Sequence, residues 1–326
     1  MPSDRRISEL DVLRAAAIFG VVVIHSSFGG RFDQKTMAVQ AGLARFFDWA
    51  VLAFFFSSGF LHDRNAPFIT TLRKRAAALL IPFFLYNAFY IVCFLLLEAA
   101  GWLPAGTLKV HLNSFDAAMS CSPAFQLYFL PYLFVISTGV GGLEKLMHRH
   151  CRWSYLAMFS LIVMFYLEHG YPQMSHGSNS SNLPMYLAAF LIGIASRPFL
   201  EKPLAGLQTF WTAIFLLASI LALFRFCEAS LLVPPFLTAM AGGIQFIRNS
   251  GLLQFVGRMA GSIYLWHTPL ILPVLARILS GCGVPSLVNF FGSIVLTLTI
   301  CILLRVGLDA IFLKMMKRTT PRFLTL

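Results

Sequence analysis

Charged side chains are scarce in this sequence. Asp, Glu, Lys and Arg make up 12% of its 326 residues, whereas soluble domains contain about 25%. Hydrophobic residues make up 58%, with 33 Phe among them, and the mean hydropathy is +0.76. So little charge cannot cover the water-facing surface of a soluble protein of this size. The sequence therefore predicts an integral membrane protein and excludes a soluble two-domain enzyme.

Acidic residues are few as well, with 13 Asp and Glu against 25 Lys and Arg, which gives a formal net charge of +12. In a soluble protein this balance would indicate nucleic-acid binding. In a membrane protein with an even number of spans, most of these basic residues fall on the side that holds both termini. Because cytoplasmic loops are enriched in Lys and Arg, we expect both termini to be cytoplasmic and no nucleic-acid partner.

Closely spaced cysteine pairs are missing, since no C-x-x-C motif is present. The cysteines are dispersed and lie mostly inside apolar runs, so that neither a metal site nor a disulfide framework is indicated. We interpret them as small core residues. They are Cys93, Cys121, Cys151, Cys227, Cys282 and Cys301.

Ten apolar segments are candidates for membrane-spanning helices, which need about 20 residues to cross a hydrocarbon core of about 30 Å. The connections between them are too short for a separate soluble domain. We expect an all-α polytopic protein, with residues 1–326 forming a single transmembrane domain around a polar central cavity. Asp11 and Arg14 interrupt the first segment, so we interpret it as a retained helix and not as a cleaved signal peptide. The predicted spans are 10–29, 46–62, 76–98, 122–141, 153–169, 183–199, 206–225, 229–247, 259–279 and 286–313.

The first predicted helix carries Asp11, Arg14 and His25, and such residues are costly in a membrane unless they are paired or face a cavity. Arg14 and His25 share one face, about 16–17 Å apart along the helix axis, and Asp11 is close enough to pair with Arg14. One interpretation is a structural ion pair, with His25 at an interfacial helix end. The other is a cation near the cytoplasmic entrance and a deeper imidazole that acts as a general base.

The ninth predicted span contains Ser262, Tyr264 and His267. Pro269 follows two residues later and is expected to distort the helix. The two serine and tyrosine hydroxyls and the second imidazole are either buried, hydrogen-bonded core groups or part of a functional site.

Small and aromatic residues mark two other spans. Ser58 and Gly59 end the second span, where glycine lets another backbone approach and serine can hydrogen-bond across helices. Tyr128 lies in an aromatic, proline-containing segment at the start of the fourth span. That segment is either a packed, kinked helix or the lining for a sugar-like acceptor.

Two clusters of charge complete the set. Arg73, Lys74 and Arg75 precede the third span, where they either hold phosphate groups or anchor the topology. Arg305 and Asp309 are four positions apart in the tenth span, and we interpret them as a structural pair that neutralises itself.

In this order, the motifs resemble those of the acyltransferase-3 family of integral-membrane acyltransferases over residues 10–270. Arg14 and His25 match the family's Arg-x10-His signature. Residues 58–60 match its Ser-Gly-Phe motif, and residues 262–267 look like its Ser-x-Tyr-Leu-x-His segment.

Two other segments resemble the family less closely. Residues 126–130, which start with Gln126, match an aromatic-Phe-Leu segment that Trp usually opens. The family often carries Arg-x-x-Arg shortly before a proline. Here residues 73–75 precede Pro82 without the second arginine, so the chain departs from the family pattern in this loop.

The resemblance implies an O-acyltransferase of a bacterial inner membrane. It would move an acyl group, usually acetyl from cytoplasmic acetyl-CoA, to a hydroxyl of a surface or exported glycan or of its lipid-linked precursor. It implies His25 and Arg14 as catalytic residues, with His25 a general base or a transient acyl carrier, and Arg14 with residues 73–75 as the cations that bind CoA. No metal is implied. The residues expected to contact substrate or support the site are Asp11, Ser58, Gly59, Tyr128, Ser262, Tyr264 and His267.

A glycan exporter or flippase that uses the same cavity without acyl transfer is the alternative from another class. It predicts polar residues in many helices and the loss of surface glycan when the gene is deleted. An acyltransferase predicts glycan that is present but not acylated. Because the polar residues concentrate in the first, second and ninth predicted spans, the sequence favours the enzyme.

Overall fold

The computed structural model describes residues 7–27, 32–63, 66–102, 104–107, 122–146, 183–200, 230–231 and 233–319, and all regular elements in these ranges are helical. The predicted all-α class is therefore confirmed for the described part of the chain. The helices are α1 (Ser8–His25), α2 (Gln34–Phe46), α3 (Ala50–Phe60), α4 (Phe68–Arg75), α5 (Ile81–Ala99), α6 (Phe129–Leu146), α7 (Leu183–Leu200), α8 (Val233–Gly243), α9 (Gln245–Arg248), α10 (Gly251–Trp266), α11 (Leu272–Gly281) and α12 (Ser286–Thr319).

Short tighter or wider turns join several of these helices. A π-helical turn, Ala76–Leu80, joins α4 to α5, and a second one, His267–Ile271, joins α10 to α11. A 3-10 helix, Ser122–Tyr128, leads into α6. Consecutive elements thus form longer helical stretches, and these stretches are long enough to cross a membrane.

Five helical stretches in the described ranges are long and apolar enough to cross a membrane. This confirms the prediction of a membrane protein. The predicted ten spans and central cavity stay predictions: 153–169 and 206–225 lie outside the described residues. The helices at the predicted spans 10–29 and 183–199 are described, but they are not among these five stretches. The five stretches are Gln34–Phe60, Phe68–Ala99, Gln126–Lys145, Gly251–Gly281 and Ser286–Ala310.

The predicted span 229–247 differs most from the structure. Its main helix, α8, has 11 residues and a length of about 16 Å, which is too short to cross a membrane by itself. Pro234 and Pro235 occupy the first turn of α8, where their missing N–H groups are tolerated. The helix ends at Gly243, and a new short helix starts at Gln245.

Helix α1 lies at the centre of the described core. It packs against α10, α3, α8 and α2, and most of its apolar side chains are buried, Phe19 being the exposed exception. The crossing with α10 is close, because a Cβ atom on Gly257 would lie 1.9 Å from the carbonyl oxygen of Asp11. Glycine is therefore required where these two helices cross, as small residues often are between membrane helices.

Helices α3 and α7 also cross in direct backbone contact. A Cβ atom on Gly59 would lie 1.9 Å from the carbonyl oxygen of Phe190, and one on Gly193 would lie 2.1 Å from that of Phe56. The expectation that Gly59 permits a close backbone approach is confirmed. The predicted Arg305–Asp309 pair in α12 is also confirmed, with 3.0 Å between Nε and Oδ2.

Candidate active site

Two histidines that are 242 positions apart in the sequence meet where α1 and α10 end. Nδ1 of His25 lies 2.9 Å from Nε2 of His267, and the ring centroids are 5.1 Å apart. His25 is the last residue of α1, and His267 follows α10 directly. His267 has no solvent-exposed surface, whereas His25 is half-buried.

A break in the helix after His267 sets the position of this ring. Thr268 has an extended backbone (φ −138°, ψ 157°), and Pro269 has no N–H to continue the helical hydrogen bonds. Nδ1 of His267 turns back onto the end of α10, 2.9 Å from the carbonyl oxygen of Tyr264 and 3.1 Å from that of Ile263. The predicted distortion at Pro269 is thus confirmed, and it is what orients His267.

Two other side chains satisfy carbonyl groups around the same break. The Tyr90 hydroxyl donates to the carbonyl oxygen of Leu265 at 2.5 Å, whose helical partner would have been the missing N–H of Pro269. The Gln126 amide donates to the carbonyl oxygen of Thr268. Broken helices are tolerated in membranes when neighbouring helices satisfy the freed groups in this way.

Tyr90 was not identified from the sequence, and Gln126 was recognised only as the start of an aromatic segment. The proline at 269 was the available signal, because it leaves a carbonyl group four residues earlier without a donor. That signal predicts that a polar partner exists. It does not say which helix supplies it.

Aromatic rings surround the histidine pair on one side. The Tyr264 ring lies 6.0 Å from that of His267, 5.4 Å from Phe129 and 6.4 Å from Phe54, measured between centroids. Beyond it, the Tyr128 and Tyr186 rings stack at 6.2 Å, and their hydroxyl oxygens are 3.3 Å apart. The structure therefore brings the predicted residues Tyr128 and Tyr264 into one aromatic cluster beside His267.

Arg14 lies at the other end of the same helix. Because α1 continues without a break from Ser8 to His25, Arg14 and His25 share a face and are about 16–17 Å apart along the axis. Nη1 of Arg14 is 3.9 Å from Oδ1 of the buried Asp11. The predicted Asp11–Arg14 pair is present, and 28% of the Arg14 side chain is exposed.

Arg75 belongs to a separate polar cluster. Its guanidinium donates to Nδ1 of His62 at 2.8 Å and to the carbonyl oxygen of Ser137. Since Nδ1 of His62 accepts a hydrogen bond, Nε2 carries the proton and donates to Oε2 of Glu144 at 2.6 Å. Sequence analysis missed His62 and Glu144, which have no motif and are 82 positions apart.

The remaining predicted site residues lie at exposed or half-buried positions. Arg73 and Lys74 are solvent-exposed at the end of α4. Ser58 and Ser262 are half-buried. Within the described ranges, no group of three or more His, Cys, Asp or Glu side chains is arranged to hold a metal ion.

Comparison with known families identifies the class of chemistry. The model of the acyltransferase-3 family, described as an acyltransferase domain, matches residues 7–306. No curated protein and no solved structure matches the chain. The family match covers both histidines, Arg14 and the aromatic cluster, and it extends over almost the whole sequence. The chain therefore belongs to the acyltransferase-3 family and is a membrane acyltransferase.

Proposed function

We propose that this protein transfers an acyl group, acetyl in the simplest case, from cytoplasmic acyl-CoA to a hydroxyl of a surface or exported glycan or of its lipid-linked precursor. The observation that carries the proposal is the contact between His25 and His267, where helices α1 and α10 end. An imidazole that is itself hydrogen-bonded to a buried partner is well suited to accept a proton from a hydroxyl group. The family membership supports acyl transfer as the reaction.

The reaction needs one base and one thioester. A ring nitrogen of His25 accepts the proton of the acceptor hydroxyl while that oxygen forms a bond to the thioester carbonyl carbon. Collapse of the tetrahedral intermediate breaks the C–S bond, and the proton passes from His25 to the sulfur, which leaves as the free thiol. In the covalent variant, a ring nitrogen of His25 attacks the thioester carbonyl carbon, the C–S bond breaks and CoA leaves as its thiolate. The acceptor oxygen then attacks the acyl-histidine, the C–N bond breaks, and the hydroxyl proton passes to the thiolate, which leaves as the free thiol.

Basic residues on the cytoplasmic side bind the donor in this proposal. CoA carries several negative charges, and Arg is well suited to phosphate because it donates two parallel hydrogen bonds. Arg73 and Lys74 are exposed at the end of α4, where they contact the phosphates. Arg75 uses two donors on His62 and Ser137, so that it fixes the shape of this region as well as its charge. Arg14 attracts the donor from within α1.

The aromatic cluster is the proposed surface for the acceptor. The Tyr264 ring lies beside that of His267, and the rings of Tyr128 and Tyr186 stack on each other beyond it. The three rings offer both flat apolar faces and hydroxyl groups. A sugar has the same two kinds of surface, C–H groups on its faces and hydroxyls at its edges. Ser58, Ser262 and Gly59 support the helices that hold this cluster. The orientation that we propose keeps both termini in the cytoplasm of a bacterial cell, as the basic residues indicate.

Chemical analysis of the surface glycans, with and without the gene, tests the proposal. We expect the deletion strain to make glycan in normal amount that lacks ester-linked acyl groups, measured by NMR or mass spectrometry before and after mild base. The gene restores the groups. If the deletion removes the glycan from the surface, the protein is an exporter and the proposal is wrong. Unchanged acylation in the deletion strain also overturns it.

A further inference from the structure

The hydrogen bonds of His267 determine which of its nitrogens carries the proton. Nδ1 faces the carbonyl oxygens of Tyr264 and Ile263, at 2.9 and 3.1 Å, and carbonyl oxygens only accept hydrogen bonds. Nδ1 of His267 is therefore protonated and donates to both. His267 is fully buried, so its neutral form is favoured. In that form, Nε2 has a lone pair and can only accept.

The protonation of His267 also determines which nitrogen of His25 carries a proton. Nε2 of His267 is 2.9 Å from Nδ1 of His25, and because it accepts, Nδ1 of His25 must donate. The neutral His25 ring then has its proton on Nδ1 and its lone pair on Nε2. We propose that His267 is a positioning residue, which holds His25 in the tautomer that has Nε2 as its basic or nucleophilic nitrogen. The same device is known where a buried acceptor fixes a catalytic histidine.

The surroundings of the pair also favour the positive charge that forms when His25 takes up a proton. His25 lies in the last turn of α1, and His267 caps the C-terminal end of α10. The C-terminal ends of helices carry partial negative charge from carbonyl groups that lack helical partners. Two such helix ends meet at this histidine pair. The carbonyl groups of Tyr264 and Ile263 contact Nδ1 of His267 directly. These carbonyl groups therefore stabilise the imidazolium.

The catalytic consequence depends on the proposed function, but the tautomer does not. In the reaction, Nε2 of His25 takes the proton of the acceptor hydroxyl, while Nδ1 keeps its proton and its hydrogen bond to His267. Both the general-base and the acyl-carrier role need this unprotonated Nε2. His267 does not contact the reacting atoms and acts through His25.

Solid-state NMR of the ring nitrogens tests the tautomer directly. The full-length protein, labelled with 15N and 13C in histidine and reconstituted in lipid without substrates, is measured beside the His25→Gln variant to assign the His25 signals. We expect a protonated Nδ1 and an unprotonated Nε2 for His25. A His25 ring that carries its proton on Nε2 overturns the inference. This result is independent of acyl transfer, so that failure of the proposed function is recognised separately.

Two substitutions at His267 test the catalytic consequence. His267→Gln can place an acceptor oxygen near the position of Nε2, whereas His267→Leu cannot accept a hydrogen bond. We expect His267→Leu to lower the acylation rate, per amount of folded protein, by at least about 10-fold and by no more than the 10²–10⁴-fold that a general base contributes. His267→Gln should recover a large part of the rate. Equal rates for the two variants contradict a positioning role through this hydrogen bond.

Discussion

The Tyr90 hydroxyl is the donor for a carbonyl group at the break between α10 and α11. Removing this hydroxyl therefore tests what stabilises the break. The phenol is fully buried and donates to the carbonyl oxygen of Leu265 at 2.5 Å. Tyr90→Phe removes this donor and leaves the shape of the ring unchanged. Because Pro269 has no N–H, no helical hydrogen bond can replace it.

The size of the effect follows from two sets of measurements. Leaving a buried polar group without its partner costs about 1–3 kcal/mol, whereas hydrogen bonds between membrane helices contribute about 0.6 kcal/mol on average and about 1.7 kcal/mol at most. The short distance and the missing alternative donor place this bond near the upper membrane value. We therefore expect Tyr90→Phe to lower the free energy of unfolding by about 1.5 kcal/mol.

Reversible unfolding in mixed detergent micelles measures this difference. Tyr132→Phe is the matched control, because its ring is also in an aromatic cluster, but its hydroxyl makes no hydrogen bond to another described residue. We expect the control to change the free energy by less than about 0.5 kcal/mol. If the two variants unfold alike, the hydroxyl of Tyr90 does not hold the break, and the explanation given for the position of His267 is wrong.

Other predictions concern the helix crossing and the basic cluster. Gly59→Ala places a Cβ atom against the carbonyl oxygen of Phe190 and should destabilise the fold by about 1–3 kcal/mol, whereas Gly261→Ala, which meets no atom within 4 Å, should be neutral or slightly stabilising in the same unfolding assay. Arg75→Gln removes hydrogen bonds to two neighbours and should lower stability by about 1–3 kcal/mol. Lys74→Gln, at an exposed position, should leave stability unchanged and weaken CoA binding, most strongly at low ionic strength because salt screens the attraction of an exposed charge, as titration calorimetry with CoA can measure. Loss of stability in the control glycine variant, or unchanged CoA affinity for Lys74→Gln, would contradict the respective argument.

Local features of the site could be predicted from the sequence. The spacing of Arg14 and His25 fixes a shared face, because helix geometry is regular over eleven residues. The position of Pro269 predicts a break in α10, since proline lacks the N–H that the helix needs. A glycine at 59 indicates a close helix contact for the same kind of steric reason. Each of these inferences needs only the chemistry of neighbouring residues.

Contacts between distant segments could not be predicted in this way. His25 and His267 are 242 positions apart, and the sequence placed them in the site separately, with nothing to show that their rings touch. The contact between His62 and Glu144 was not predicted, because a single histidine and a single glutamate form no sequence motif. The span predicted at 229–247 differs from the structure for another reason. Its apolar composition does not reveal that the helix between the prolines and Gly243 is short.

Acylation of the surface glycan by a His25 variant tests the central claim most directly. The deletion strain is complemented with the unaltered gene, with His25→Gln, or with Arg277→Gln as a control at an exposed position in α11. Ester-linked acyl groups are then quantified per amount of membrane-inserted protein. We expect His25→Gln to lose at least about 100-fold, the lower range of what a general base contributes, and the control to acylate like the unaltered protein. Full acylation by a stably inserted His25→Gln variant would contradict the account.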